Sequence, residues 1–422
     1  MRTINVKDID SVIESLRPKV DDKLRGRVAS IISDVRRRKD AALREYEKKF
    51  GNARVGSFKV AADEIRAAYR QVSKEQVGAI RLAKKRLERS ENLIKRQLGN
   101  TSLIIDGIRM TKKFSPLDSV GCYIPGGRAR YPSTVVMSVV PAKVAGVKRI
   151  VAVSPAGEKG EVDPLTLVAG DICGVNEFYK IGGAQAIAAL AYGTQSVKRV
   201  DKIVGPGGVF VTVAKSILSD VVAIDMIAGP TELAIIADSS ADPDLVAVDL
   251  ISQAEHSGDT MCCLITNSNL VKEGVLESIR KRTGLIKRSE IVKESFRKNG
   301  LIAVCKTESQ MSDLANRLAP EHLEIITRNP RKIAAGIRSA GLVLVGPNTP
   351  SSASDYLLGS NHVLPTSGFG RTRGSLGVLD FLKLHTTIEA SRGSLEMISP
   401  YMKALANAEG LPNHYEAVRS RI

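Results

Sequence analysis

Residues 120–153 read VGCYIPGGRARYPSTVVMSVVPAKVAGVKRIVAV. Two β-branched apolar runs, 120–124 and 149–153, predict strands, and 133–145 between them is long enough for a helix. The pattern then repeats. A helix is expected over 163–173, a strand over 178–181 and a helix over 184–191. A strand over 202–204 and a helix over 209–218 follow. Repeated strand–helix units with short loops imply a parallel sheet with helices on both faces.

A second α/β stretch starts near residue 232. A strand over 233–237 precedes a helix with Asp242 at its N-cap and Pro243 at its first position, running to about His256. Strands are expected at 261–266, 301–305, 323–327 and 342–346. On the other side, the first hundred residues read as helices. Leu24, Val28, Ile31 and Val35 form one buried stripe, and Ile80, Leu87 and Ile94 form another. Asp106-Gly107 between two extended runs signals a hairpin. Residues 377–422 read as a polar helical appendage. No fixed-period repeat is present, so a solenoid is excluded.

The 422 residues are enough for two or three domains. With 43% hydrophobic and 25% charged residues, the chain is neither disordered nor collagen-like. No apolar run reaches the length of a membrane span, and the start MRTINVKDID lacks the apolar core of a signal peptide. A cytoplasmic location, with no membrane partner, is the expectation. Five cysteines without a CxxC pair exclude a disulfide framework and a thiolate zinc site. The net charge is +17. Residues 1–120 hold 29 Lys and Arg against 16 Asp and Glu, which is +13 of it. This is read as solvated helix faces rather than a specific nucleic-acid surface, because no aromatics interleave the basic runs.

Three junctions carry glycine pairs: YIPGG at 123–127, IGG at 181–183 and GPGG at 205–208. Each suits an anion such as a pyrophosphate at a helix start, or simply makes a tight turn. The fingerprint GxGxxG and the GxxxxGK[ST] loop are absent, so dinucleotide binding here must be of an unusual type.

Four of the five histidines lie in polar stretches: QAEH at 253–256, APEHLE at 319–324, SNHVLP at 360–365 and EGLPNH at 409–414. His385 reads as structural. Gln253 and His256 project from one helix face. With a carboxylate such as Asp355 and a second imidazole they would form a zinc site of nitrogen and oxygen donors; alone they read as a polar helix end. Glu321 and His322 form either a salt-bridged loop or an acid/base pair. Pro320 makes an irregular approach to the strand plausible, so that both reach one cleft.

Together these pieces resemble the histidinol dehydrogenase family. The likeness runs from about residue 25 to the end. It is strongest in YIPGGRARYPSTVVMSVVPAKVAG, GGAQAIAALAYGT, VDKIVGPGG, IDMIAGPTE, DLISQAEH, APEHLEI, GSNHVLPTSG and LDFLK. It implies two Rossmann-like parallel-sheet units of aldehyde-dehydrogenase type with helical N- and C-terminal segments. The expected division is a helical arm over 1–21, a discontinuous α/β domain over 22–122 plus 233–376, an NAD-binding α/β domain over 123–232, and a C-terminal segment over 377–422.

The resemblance also implies an activity: oxidation of L-histidinol through the aldehyde to L-histidine, the last step of histidine biosynthesis, with two NAD and one zinc ion. Its zinc ligands fall on Gln253, His256, Asp355 and His414. His414 would come from the C-terminal segment of the other subunit of a homodimer with shared active sites. Glu321 would activate water and His322 would take the alcohol proton. Thr231, His362 and Glu409 would contact substrate along with the ligands and His322. Tyr123, Gln185 and Gly208 would contact NAD. Two positions depart from the family pattern: Gly208 replaces an Asn, and Thr231 replaces a common Ser. Two rivals remain at this stage. One is a thiol-dependent aldehyde dehydrogenase using Cys262 or Cys263, although MCCLIT reads as a buried strand. The other is a basic nucleic-acid-binding protein.

Overall fold

A computed structural model describes residues 1–4, 14, 21–51, 55–126 and 130–422. The expected helical arm begins instead as a strand, β1 (Arg2–Ile4), and most of its remainder lies outside the described residues. Gly127 of the first glycine pair is also outside them.

The alternation read around residue 120 forms one parallel sheet. Its strands are β4 (Ser119–Tyr123), β5 (Arg149–Ser154), β6 (Glu177–Lys180), β7 (Lys202–Val204) and β8 (Ala223–Ile224), in the order β6-β5-β4-β7-β8. Helices Pro132–Ala145 and Pro164–Cys173 cover one face; Gly183–Tyr192 and Val209–Leu218 cover the other. The first of these starts with Pro132 and stops at Gly146, whose φ of 100° suits a residue without Cβ. Sequence order reverses at β4, between β5 and β7. The loops leaving the carboxyl ends of β4 and β7 therefore diverge and open a crevice.

The second stretch forms a six-stranded parallel sheet. Its members are β1, β9 (Glu232–Ala237), β10 (Met261–Thr266), β11 (Gly300–Val304), β12 (His322–Ile326) and β13 (Leu342–Val345). The order is β1-β11-β10-β9-β12-β13, with Arg2 opposite Leu301 at the edge. Cys262 and Cys263 are fully buried on β10, as expected of a strand covered on both faces.

The hairpin forms as read. β2 (Thr101–Ile105) and β3 (Ile108–Pro116) flank Asp106 at φ 50° and Gly107 at φ 76°, the left-handed pair of a two-residue turn. A third strand joins them and corrects the all-helical reading of 377–422. β14 (Leu382–Glu389) pairs antiparallel with β3. Leu382, Leu384, Thr386 and Ile388 alternate with Lys383, His385, Thr387 and Glu389, a period of two. Helices Arg392–Ala408 and Pro412–Arg419 follow.

The N-terminal helices pack mainly on the five-stranded sheet, and of the 233–376 half expected to join them, helix Lys74–Gln97 also bonds Leu357 and Gly359. Val28, Ile31 and Val35 of helix Asp22–Arg38 meet Ile187, Leu190 and Val211 in one core. Ile80 and Leu87 of helix Lys74–Gln97 join the core of Val135 and Val139 on the opposite face. Leu24 is half-buried, and Ile94 is exposed.

Candidate active site

The two sheets meet at a cleft of about 720 Å³. The five-stranded sheet contributes its carboxyl edge, through residues 125–134 and 205–208. The six-stranded sheet contributes its amino edge: Thr231 precedes β9, His256 precedes β10, and Glu321 and His322 open β12. Asp355 and His362 arrive on the segment after β13.

The approach to β12 is irregular, as Pro320 suggested. Ala319 caps helix Glu308–Leu318 in the left-handed region at φ 47°, so the chain turns before the pleat begins. Both Glu321 and His322 consequently line the cleft, with His322 Nδ1 3.8 Å from Glu321 Oε2. Glu321 Oε2 accepts from the Thr231 hydroxyl at 2.5 Å and from the Glu232 amide at 2.8 Å. Gln253 Nε2 donates to Thr231 Oγ1 at 2.8 Å, which ties the end of helix Pro243–Ala254 to the same carboxylate.

Burial pushes the Glu321 carboxyl above its ordinary range, against the opposing pull of His322 and Thr231. His322 is buried too, and burial alone would depress it. The hydrogen bond and charge of Asp355, together with the charge of Glu321, outweigh that and raise it to about 9. Its Nδ1 sits 3.3 Å from the Glu232 carbonyl. Its Nε2 lies 3.5 Å from Asp355 Oδ1 and has no other described partner. Asp355 responds oppositely: burial works to raise it, but His322 holds it below the usual carboxylate range. Desolvation lowers His256 and His362, so both imidazoles are neutral at pH 7.

The donor set suits a zinc ion. His256 presents a neutral imidazole, Asp355 an ionised carboxylate, and Gln253 an amide to whose Oε1 no described residue donates. These are nitrogen and oxygen donors without thiolate. Among the described residues, no three His, Cys, Asp or Glu side chains gather as a metal site by themselves. His256 and Asp355 line the cleft, whereas Gln253 does not and is tied to it through Thr231; a tetrahedral site needs four donors. His414 and Glu409 are not among the residues that line the cleft; both are exposed on the C-terminal helices.

Of the expected cofactor contacts, Gly208 lines this cleft. Tyr123 and Gln185 meet at the start of helix Gly183–Tyr192, where Tyr123 Oη accepts from the Gly183 amide at 3.0 Å. A second amide at that helix start, Gly182, is also taken, by Glu47. The GPGG loop is different. No described residue bonds the amides of Gly207 and Gly208, and the loop is braced from below. Asp225 Oδ2 accepts from the Gly205 amide at 2.7 Å, and Lys215 pairs with Asp225 while donating to the Gly205 carbonyl.

Sequence reasoning missed this Lys215–Asp225 pair. A lone cation in the apolar helix VFVTVAKSIL is the signal that pointed to it. It also missed Glu232, whose Oε2 accepts from the Glu321 amide and Oε1 from the Ser367 amide. Burial raises Glu232 to about 8. The rival thiol chemistry fails on placement. All five cysteines are buried, none lines the cleft, and desolvation raises every thiol pKa, Cys263 to about 12.

The family model for histidinol dehydrogenase matches residues 16–422. The chain belongs to the histidinol dehydrogenase family. A relative from Methanosarcina mazei, itself a histidinol dehydrogenase, is 41% identical over 397 residues, covering 93% of this chain and 91% of the relative. One from Caldanaerobacter subterraneus is 44% identical over 408 residues, covering 96% and 94%. The crystal structure of histidinol dehydrogenase from Elizabethkingia anophelis superposes with a TM-score of 0.93 at 34% identity, covering 100% of this chain and 98% of that one. Histidinol dehydrogenase membership makes the chain an oxidoreductase of histidine biosynthesis with histidinol as its substrate. No helix among the described residues is long and apolar enough to cross a membrane.

Proposed function

We propose that this chain carries out the full four-electron oxidation of L-histidinol through histidinal to L-histidine, with zinc and two NAD, as the last step of histidine biosynthesis in the cytoplasm. The observation that carries the reading is the convergence of Thr231, His256, Glu321, His322 and Asp355 on one cleft faced by a glycine loop. Gln253, His256 and Asp355 would hold zinc, with His414 from a second copy completing the set in a homodimer with shared sites. When bound, zinc orients the nitrogen-rich substrate and NAD accepts the hydride.

The chain's own residues do the proton chemistry. His322 Nε2, 3.5 Å from Asp355 Oδ1, takes the alcohol proton when the imidazole is in its neutral form, which the raised pKa makes the minor form at pH 7. Glu321, raised by burial and held by Thr231 and Glu232, is the base that draws a proton from water for attack on the aldehyde. His362, fixed through Nδ1 to the Asp355 carbonyl at 2.7 Å, Thr231 and Glu409 contact substrate. Tyr123, Gln185 and Gly208 contact NAD. The buried, unpaired thiols support a reducing compartment.

Zinc content and histidinol-dependent NADH formation, measured on the same protein, test this. His256→Ala and His414→Ala should each lose metal and turnover together. Glu321→Gln should retain alcohol oxidation better than aldehyde oxidation. Full zinc and full turnover in either histidine variant, or equal losses in both half-reactions for Glu321→Gln, would refute the assignment.

A further inference from the structure

A second cavity, of about 430 Å³, opens beside the cleft at the carboxyl edge of the five-stranded sheet. Its walls are apolar: Ile31, Pro155 and Phe210, with the exposed Arg27 guanidinium 5.3 Å from the Phe210 ring centroid. One acidic side chain interrupts them. Glu47, 2% exposed, lies in helix Asp40–Gly51 and reaches the start of helix Gly183–Tyr192. Its Oε1 accepts from the Gly182 amide and from Gln185 Nε2, both at 2.9 Å. No described residue donates to its Oε2. Glu47 lines the cavity, so a carboxylate oxygen left without a protein donor is open to a ligand hydroxyl there. A phosphate cannot bond it, because it brings no donor at neutral pH and adds like charge. The Gly182 and Gly183 amides are already taken by Glu47 and Tyr123, which removes two of the donors this helix start could offer an anion. Phe210 belongs to the first turn of the helix that follows the GPGG loop, so one helix start borders both the cavity and the loop whose amides are open.

We infer that Glu47 accepts from the adenosine ribose hydroxyls of the dinucleotide and rejects a 2′-phosphate, so that the chain selects NAD over NADP. This rests on the NAD reading above. An acidic side chain on the ribose is the usual physical basis of that selectivity. Arg27 lies exposed at the rim with its guanidinium over the Phe210 ring, where solvent screens its charge.

Equilibrium titration of the zinc-loaded protein with NADH and NADPH, followed by their fluorescence, tests it without turnover. The unaltered chain should bind NADPH on the order of 100-fold more weakly than NADH. Glu47→Gln keeps an oxygen for Gly182 and Gln185 but loses the charge, and should bring the ratio to about tenfold or less. A second probe needs no variant: 2′-deoxy-NAD should bind the unaltered chain about tenfold more weakly than NAD. Equal weakening of NADH and NADPH in Glu47→Gln, or 2′-deoxy-NAD binding as tightly as NAD, would show Glu47 to be a prop for Gln185 and overturn the inference while leaving NAD use intact. Binding of neither NADH nor NADPH would overturn the inference and the NAD reading together.

Discussion

Replacing Glu324 by Gln should remove a pH dependence from the stability of this chain. Glu324 lies on β12, 2% exposed, and its Oε1 accepts from the Ser351 amide at 2.6 Å. Its Oε2 has no ordinary donor. What faces it is the half-buried Asp249 carboxyl on helix Pro243–Ala254, and two carboxyls in contact there share a proton. Burial first, then the charge of Asp249, raise Glu324 from 4.5 to about 8. A raised carboxyl pKa means the folded chain holds a proton the unfolded chain has released. Its stabilising effect is complete below about pH 4.5 and is lost as pH rises towards 8. Each pH unit in that window costs about 1.4 kcal/mol per proton, so from pH 5.5 to 7.5 the loss is about 3 kcal/mol at most. At roughly 2 cal/mol/K of unfolding entropy per residue, 1 kcal/mol moves the midpoint of a chain this long by about 1 °C. A glutamine keeps the oxygen for Ser351 and offers Asp249 a permanent N–H. Thermal midpoints at the two pH values, at constant ionic strength, should therefore fall by about 3 °C more in the unaltered chain than in Glu324→Gln. Other raised carboxyls, such as Glu232, are common to both proteins and cancel. An equal fall in the two would refute the shared proton.

Mixing separately purified, inactive His256→Ala and His414→Ala chains under conditions that exchange subunits should restore about a quarter of the activity, since half the dimers are mixed and each carries one intact site. No recovery would place His414 in its own chain's cleft. Gly205 and Gly208, three residues apart, should respond oppositely to a side chain. A Cβ at Gly205, where φ is 109°, would lie 2.2 Å from the Tyr123 carbonyl oxygen, so Gly205→Ala should cost ~2–4 kcal/mol, read as a lowered thermal midpoint. Nothing stands within 4 Å of a Cβ at Gly208, so Gly208→Asn should fold normally and bind NADH more tightly by fluorescence titration; a large loss of stability would contradict the open geometry. Iodoacetamide at neutral pH should leave histidinol-dependent turnover unchanged, because every thiol is buried and its pKa raised. Inactivation in step with one alkylated cysteine would reinstate thiol chemistry.

The amino-acid sequence by itself determined the order of strands and helices through both α/β units. Apolar periodicity is local, and a stretch such as 149–154 can satisfy its backbone and bury its side chains in only one way. It also determined which residue types are present for the chemistry, because QAEH, APEHLE and SNHVLP stand out against their surroundings. Where local signals conflict, it misled. The run 382–389 alternates with period two but sits among helices, and only pairing with β3 decided it. Tertiary structure alone decided that one sheet offers its carboxyl edge and the other its amino edge to the same cleft. It alone set the protonation bias of Glu321 and His322, since burial is a property of the packed chain. It alone brought Glu47 to Gln185 across 138 positions. Proximity over such separations is fixed by how cores pack, which no neighbouring residue encodes.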